Sequence, residues 1–264
     1  MNTVEALQLA LELADLADSI TMDRFRAHDL VVTTKPDLTP VSEADQAVER
    51  ALRARLAETT KHVVLGEEYG TDAPADDSPD DSYDSKYRWI IDPIDGTKSY
   101  VRGVPIWATL IGLERAGEMI VGVASAPALG MRWWAGKGLG AFRDGERLGV
   151  SSVASLDDAQ ITFAWDTSER FHADGIGPKL VDLSHKCWRT RGIGDFWQHL
   201  LVAEGAFDVA IDPIVSLWDI AALIPIIKEA GGRWSNVDGR ADANGESFVC
   251  TNGLLHDAVI ASLA

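Results

Sequence analysis

A chain of 264 residues that is 46% hydrophobic can bury a substantial core, while its formal net charge of −17 excludes the nucleic-acid and anionic-membrane partners that are recognised through clustered lysine and arginine. Two cysteines, Cys187 and Cys250, make no disulfide framework, no segment approaches the length of a membrane span, and the first stretch lacks the basic start and long apolar run of a signal peptide. A reducing cytoplasm is the expected compartment.

Along the chain, Val4, Leu7, Leu11, Ala14 and Ile20 recur at helical spacing and predict a long first helix. A short β-segment is expected near Leu30 to Thr34, and Ser42 with an acid three residues later reads as a capping box opening an amphipathic helix through Ala47 to Leu56. Mostly strands are expected from Val63 to Phe142. Within that block, the acidic low-complexity stretch Thr71 to Ser82 reads as a solvated surface loop. Further strands are predicted near Ile161, Cys187 and Val209, helices over Phe196 to Ala203 and Leu217 to Ala230, and a closing strand and helix after Ser247. No internal repeat is visible. A soft boundary near Val150 to Leu156 divides residues 1–150 from 151–264, as two halves or one large domain.

The most informative segment is Asp92-Pro93-Ile94-Asp95-Gly96-Thr97. Arg88-Trp89-Ile90-Ile91 reads as a short buried strand, so Asp92 emerges at a strand end, and Pro93 and Gly96 turn the chain sharply. Asp92, the Ile94 carbonyl and Asp95 offer three oxygens from four consecutive residues, the ligand type that hard divalent cations demand. The segment from Thr97 can open a helix whose first N–H groups face a phosphate. Val63-Val64-Leu65 likewise delivers Gly66-Glu67-Glu68 to a loop, and Leu217-Trp218-Asp219-Ile220-Ala221-Ala222 starts a helix closed by Glu229-Ala230-Gly231-Gly232. Taken singly, each acid has a plain structural alternative: Asp95 in an Asp-Gly turn, Asp45 as the cap partner of Ser42, and Asp219 as the cap partner of Ser216.

Together, Gly66-Glu67-Glu68, Trp89 to Thr97, and Trp218 to Ala222 with Glu229 to Gly232 give the chain a resemblance to the inositol monophosphatase family of lithium-sensitive, magnesium-dependent phosphomonoesterases, over nearly its whole length. The resemblance implies an α+β fold, a layered α/β/α/β/α sandwich, assembled as a homodimer. It implies two to three Mg2+ per site. Glu67, Asp92 and the Ile94 carbonyl are the expected ligands of one metal, and Asp92, Asp95 and Asp219 of a second. Thr97 and Asp45 are expected to share the nucleophilic water, the backbone of Gly96 and Thr97 to receive the phosphate, and Lys35 to lie near a third metal.

For the substrate side, the expected residues are Asp195, Asp212, Arg191 and Glu68. Asp212 stands seven residues before Asp219, where the resembled family commonly carries an acid. Asp195-Phe196-Trp197 departs from the small or hydroxyl residues that follow the Gly194 position in inositol-type enzymes. An acidic pocket with aromatic walls suits a cationic planar leaving group, and together with Val101 to Trp107 the segment resembles the histidinol-phosphate phosphatase branch. Core packing is an equal alternative for Phe196 and Trp197. The expected reaction is hydrolysis of L-histidinol phosphate, a step of histidine biosynthesis. Inositol, fructose bisphosphate and adenosine bisphosphate esters are alternatives, as is a non-catalytic regulatory protein, against which the full set of ligand positions argues. His172, His185, His199, Ser168 and Cys187 lack the pairing of a catalytic base, zinc ligand or nucleophile, and surface or packing roles are expected for them.

Overall fold

The computed structural model describes residues 1–36, 38–72, 84–165, 175–244 and 246–264. His172, Ser168 and most of the acidic stretch lie outside them.

Among the described residues the strands form three sheets. A small ribbon pairs β1 (Val32–Thr34) with β2 (Pro40–Ser42). An eight-stranded sheet contains β3 (His62–Gly66), β4 (Gly70–Thr71), β5 (Asp84–Asp95), β6 (Ala108–Arg115), β7 (Glu118–Ala126), β8 (Met131–Gly136), β9 (Gly140–Arg143) and β10 (Glu146–Arg147), in the order β10-β9-β8-β7-β6-β5-β3-β4. All its pairs are antiparallel except β3 with β5. The remaining sheet, in the order β12-β11-β13-β15-β14, is built from β11 (Gln160–Phe163), β12 (Arg189–Arg191), β13 (Val209–Asp212), β14 (Arg233–Ser235) and β15 (Phe248–Thr251).

Helices α1 (Thr3–Arg24) and α2 (Glu43–Thr59) cover one face of the large sheet, burying Leu13, Val48, Leu52 and Leu56 against Trp89, Ile91, Ile111 and Val121. Helix α3 (Thr97–Val101) follows the metal-type segment. Helices α5 (Asp195–Ala203), α6 (Leu217–Ile220) and α7 (Leu223–Glu229) fill the space between the two larger sheets, in one cluster that joins Ile90, Leu110 and Trp133 to Phe196, Ile224 and Phe248. Helices α4 (Ile176–Ser184) and α8 (His256–Leu263) cover the far face of the smaller sheet. The layers therefore run α/β/α/β/α, as expected. Eight consecutive buried residues in β7, Met119 to Ala126, mark a strand covered on both faces rather than one.

The structure differs from the sequence reading at several elements. The helix expected over Leu217 to Ala230 is two helices: a fresh start at Leu223 leaves Pro225 in the first turn, where its missing N–H is not needed. Helix α4 was not among the expected elements; Pro178 sits in its first turn, and Leu180 and Leu183 hold it to the sheet by burial. Strand β14 was likewise missed, and the strand expected near Cys187 begins at Arg189.

Close approach between layers is what brings the two halves of the site together. A Cβ on Gly122 would lie 1.9 Å from the Ala222 carbonyl oxygen, and one on Gly112 would lie 2.9 Å from the Ala221 carbonyl carbon. With no side chain at either position, the chain just after Asp219 rests directly on the sheet that carries Asp92.

Candidate active site

The acids converge for reasons visible in the strand geometry. In β5, Trp89 and Ile91 face α1 and α2 while Ile90 faces the inner layer, so alternation sends Asp92 inward with Ile90. Three residues further on, a regular strand would turn Asp95 to the opposite face. Instead the register slips between Asp92, opposite Leu110, and Asp95, opposite Ala108. The extra residue is accommodated at Pro93, whose carbonyl accepts from the Thr109 hydroxyl at 2.8 Å, and Asp95 returns to the face of Asp92. The strand thus continues past Asp92 rather than ending there. Parallel pairing of Gly66 with Ile91 brings the end of β3 level with Ile91, and the Glu67 N–H bonds the Ile91 carbonyl at 3.2 Å, which sets Glu67 beside Asp92. From the inner helices comes Asp219, its carboxylate accepting the Ser216 N–H at 2.7 Å, so that capping and site roles coincide.

One oxygen from each of Asp92, Asp95 and Asp219 lies within 4.8 Å of the others. Burial, compounded by the charges of Glu67, Asp95 and Asp219, pushes the Asp92 carboxyl well above its usual range. Burial with Asp195 and Asp219 does the same to Asp95, although the Phe196 N–H donates to it at 2.7 Å. Asp219 is raised to about 7, chiefly by burial, with the Ser216 N–H opposing and Glu67 and Asp195 adding repulsion. Among the described residues no lysine or arginine forms a salt bridge with any of these three. Buried, crowded, all-oxygen acids without a basic partner suit a hard divalent cation, and Asp92, Asp95 and Asp219 fit that description, with the Ile94 carbonyl and Glu67, the latter paired with Lys35, as further oxygens beside them.

Next to the acids stands a hydroxyl. The Ser42 N–H and hydroxyl donate to Asp45 Oδ2 at 2.8 and 2.5 Å, which turns Oδ1 toward Thr97, whose Oγ1 lies 3.2 Å away. Thr97 Oγ1 is also 3.0 Å from the Ile94 carbonyl. Burial raises the Asp45 carboxyl above its ordinary value, against the Ser42 hydrogen bonds. Gly96 precedes α3 with φ +83, and a Cβ there would stand 3.0 Å from the Ile106 carbonyl oxygen, so the turn demands glycine twice over.

Lys35 donates to Glu67 at 2.8 Å and to Glu68 at 2.7 Å. Burial works against its charge, but the two carboxylates win and raise its pKa. Glu68, with its side chain 5% exposed, is pushed up to about 7, mainly by burial, with Lys35 opposing and Glu67 adding repulsion. It stands with Lys35 and Glu67 at the metal-side acids rather than along the cavity described next.

A cavity of about 140 Å³ adjoins the acids, lined by Asp95, Asp195, Phe196, His199, Asp212 and Asp219 among others. Asp195 occupies left-handed backbone at φ +50, a conformation aspartate tolerates better than most residues. Burial raises its pKa against the pull of Lys98. Of the two roles weighed for the aromatics, Phe196 takes both, as a core residue at 1% exposure that also lines the cavity, while Trp197 packs on the core and does not line it. One expectation is corrected here. Arg191 is exposed on edge strand β12, donates to the Thr190 carbonyl, and is not brought to the cavity.

Sequence reasoning missed two residues, Glu49 and Arg53, and the cavity position of a third. His199 takes the packing role that was one of its two expected ones: it is 2% exposed, sits on the cavity wall, and is held neutral with a pKa lowered to about 3 by burial. Its ring nitrogens meet Cys250 Sγ and Gln198 Nε2, each at 3.3 Å. Glu49 and Arg53 lie beneath the Glu67 turn. Their signal was present as Asp45, Glu49 and Arg53, spaced four apart along α2 beside the buried Val48 and Leu52. His185 is exposed and Cys187 is a half-buried free thiol, as expected of non-catalytic groups.

A mixed α+β sandwich with a buried carboxylate cluster and an adjacent threonine–aspartate pair defines a hydrolase for phosphate esters. The family model described as "Inositol monophosphatase family" matches residues 3–264, and the chain belongs to that family. It is a phosphoric monoester hydrolase. The chain is 49% identical over 263 residues to a histidinol-phosphatase of Mycobacterium tuberculosis, covering 97% of each, and 46% identical to one of Streptomyces coelicolor, covering 98% of this chain and 97% of the other. Among solved structures it resembles the extragenic suppressor protein suhB of Bartonella henselae, with a TM-score of 0.86 at 26% identity over 98% of both chains. An inositol monophosphatase from Anabaena superposes with a TM-score of 0.85 at 26% identity, covering all of this chain and 96% of the other.

Proposed function

We propose that the enzyme hydrolyses L-histidinol phosphate with Mg2+ as its metal. The observation that carries the substrate is the acidic cavity: Asp195 and Asp212 face a pocket that opens onto the metal-type acids, where a substrate's ammonium and imidazole would find carboxylates rather than the neutral donors and acceptors suited to a polyol. Relatives covering nearly the whole chain carry the same activity in their names.

Glu67, Asp92 and the Ile94 carbonyl are the residues to hold one cation, and Asp92, Asp95 and Asp219 a second, with Lys35 beside a third. Bound there, divalent cations acidify a water molecule and neutralise charge on the phosphoryl and leaving oxygens. The chain's own part is positioning. Asp45 Oδ1 accepts the hydrogen bond of the Thr97 hydroxyl, which leaves a lone pair of Thr97 Oγ1 to accept a hydrogen bond from the attacking water and so to orient it. The N–H groups of Gly96 and Thr97, at the start of α3, receive the phosphate. Asp195 and Asp212 then fix the leaving alcohol by its positive charge.

A panel of histidinol phosphate, inositol 1-phosphate, fructose 1,6-bisphosphate and 3′,5′-adenosine bisphosphate, assayed for phosphate release with Mg2+ and with EDTA, tests this. The highest kcat/KM is expected for histidinol phosphate, and only with the metal. Inositol phosphate turned over equally well refutes the substrate, and metal-independent release refutes the mechanism. The cytoplasm and a homodimer complete the reading, the latter checked by sedimentation.

A further inference from the structure

The turn that carries Glu67 joins β3 to the two-residue β4, and its ends are closed by the pairing of Gly66 with Gly70 and of Leu65 with Thr71, which leaves the N–H groups between them to be held from outside. What holds it is a buried carboxylate from another element. Glu49 is 0% exposed, and its Oε2 accepts the Glu68 N–H at 2.7 Å while its Oε1 accepts the Tyr69 N–H at 3.2 Å. Arg53, one helical turn on, donates to Glu49 Oε1 at 2.8 Å. The same guanidinium bonds the Val64 carbonyl at 3.4 Å and the Gly70 carbonyl, gripping the chain on both sides of the turn. Gly66 makes the approach feasible, since a Cβ there would fall 2.1 Å from Glu49 Oε1.

We propose that Glu49, braced by Arg53 and admitted by Gly66, is the positioning residue that aims Glu67 at the metal. The proposal rests on Glu67 being a ligand, as given under Proposed function. Glu67 is pinned on its N-terminal side by the bond of its own N–H to the Ile91 carbonyl, and on its C-terminal side by the Glu49 carboxylate on the next two N–H groups. With both flanks fixed, the Cα–Cβ direction of Glu67 is set, and Lys35 holds the carboxylate at the end of the side chain at 2.8 Å. Glu49 also stands one turn after Asp45 on α2, so a single rigid helix sets the spacing between the pair that orients water and the turn that offers a ligand. A glutamine at Glu49 would have to point an N–H at one of three donors, and the turn would lose part of its anchor. Removing such a supporting partner typically weakens metal binding by about 10–100-fold.

Calorimetric titration with Mg2+, with thermal unfolding in EDTA as the record of folding, tests this on Glu49→Gln, Gly66→Ala, their combination, and Glu67→Gln as reference. Glu49→Gln and Gly66→Ala are each expected to weaken Mg2+ binding by about 10–100-fold. The double variant should lose little beyond the worse single, because both act on one contact. kcat at saturating Mg2+ should fall by less than the affinity. A folded Glu49→Gln that binds Mg2+ like wild type while Glu67→Gln does not overturns the proposal, as do losses that multiply in the double variant. Unchanged affinity in Glu67→Gln overturns the ligand assignment and the proposal with it. If Glu49→Gln does not fold, Arg53→Gln, at a side chain 18% exposed, decides by the same criterion.

Discussion

Thr97 Oγ1 lies 3.2 Å from Asp45 Oδ1, and the other oxygen of Asp45 is held by both the N–H and the hydroxyl of Ser42. One carboxylate thereby caps a helix and orients a hydroxyl. Thr97→Ala is expected to lower kcat by about 10²–10⁴-fold with little change in Mg2+ affinity measured by calorimetry, and Thr97→Ser to keep most of the rate. Equal losses of rate and affinity in Thr97→Ala would instead make the hydroxyl a structural group.

Asp219 has a pH signature. Its pKa rises from 3.8 to about 7 on folding, first through burial, so between those values the native state binds more protons than the unfolded one. Stability of the metal-free protein therefore falls as pH rises through that window, and the penalty is complete above it. In EDTA, Asp219→Asn is expected to be more stable than wild type at pH 8 by on the order of 1–2 kcal/mol, with the gain vanishing toward pH 4. Denaturant unfolding at the two pH values checks this. Mg2+ should reverse the order, and Asp219→Asn, like Asp92→Asn, should lose turnover while remaining folded.

Gly122→Ala would set a methyl where the Ala222 carbonyl oxygen now lies, 1.9 Å from the new atom. The helix pair α6–α7 must lift, which is expected to lower stability by about 1–3 kcal/mol. Mg2+ affinity should fall with it, because Asp219 rides on α6. A destabilised variant with undiminished affinity would show that Asp219 is placed independently of that contact.

Asp212 lines the cavity beside Asp195 without belonging to the three-acid cluster. A charge-assisted hydrogen bond is worth about 1.5–3 kcal/mol, so Asp212→Asn is expected to lower kcat/KM for histidinol phosphate by about 10–100-fold. Glycerol phosphate, which has no cation to hold, should be affected far less. If both esters suffer alike, Asp212 is not a reader of substrate charge.

Much of the site was legible from the chain alone because it is local. Asp92, Ile94, Asp95, Gly96 and Thr97 fall within six consecutive residues, and Ser42–Asp45 and Ser216–Asp219 are capping patterns whose spacing is set by the first turn of a helix. The apolar stripes of α1 and α2 follow from the helical period of about 3.6 residues, whereas the layered arrangement was available only as what the family resemblance implied. Even the missed Glu49 and Arg53 were written at helical spacing, but a charged stripe reads as solvated until a turn from elsewhere is laid over it.

Only the tertiary structure decided what met across those local pieces. The slip that returns Asp95 to the face of Asp92 depends on the partner strand β6, and the contact of Asp219 with both depends on Gly112 and Gly122 letting helix backbone rest on sheet. Arg191 and Trp197 lie within the same few residues as Asp195, yet edge-strand exposure takes one out of the cavity and core packing takes the other. Sequence determines which groups stand at each strand end or helix start, because those are set by neighbours a few residues away. Which of them share a cavity is set by the packing of layers, since contacts between residues a hundred positions apart leave no period in the chain.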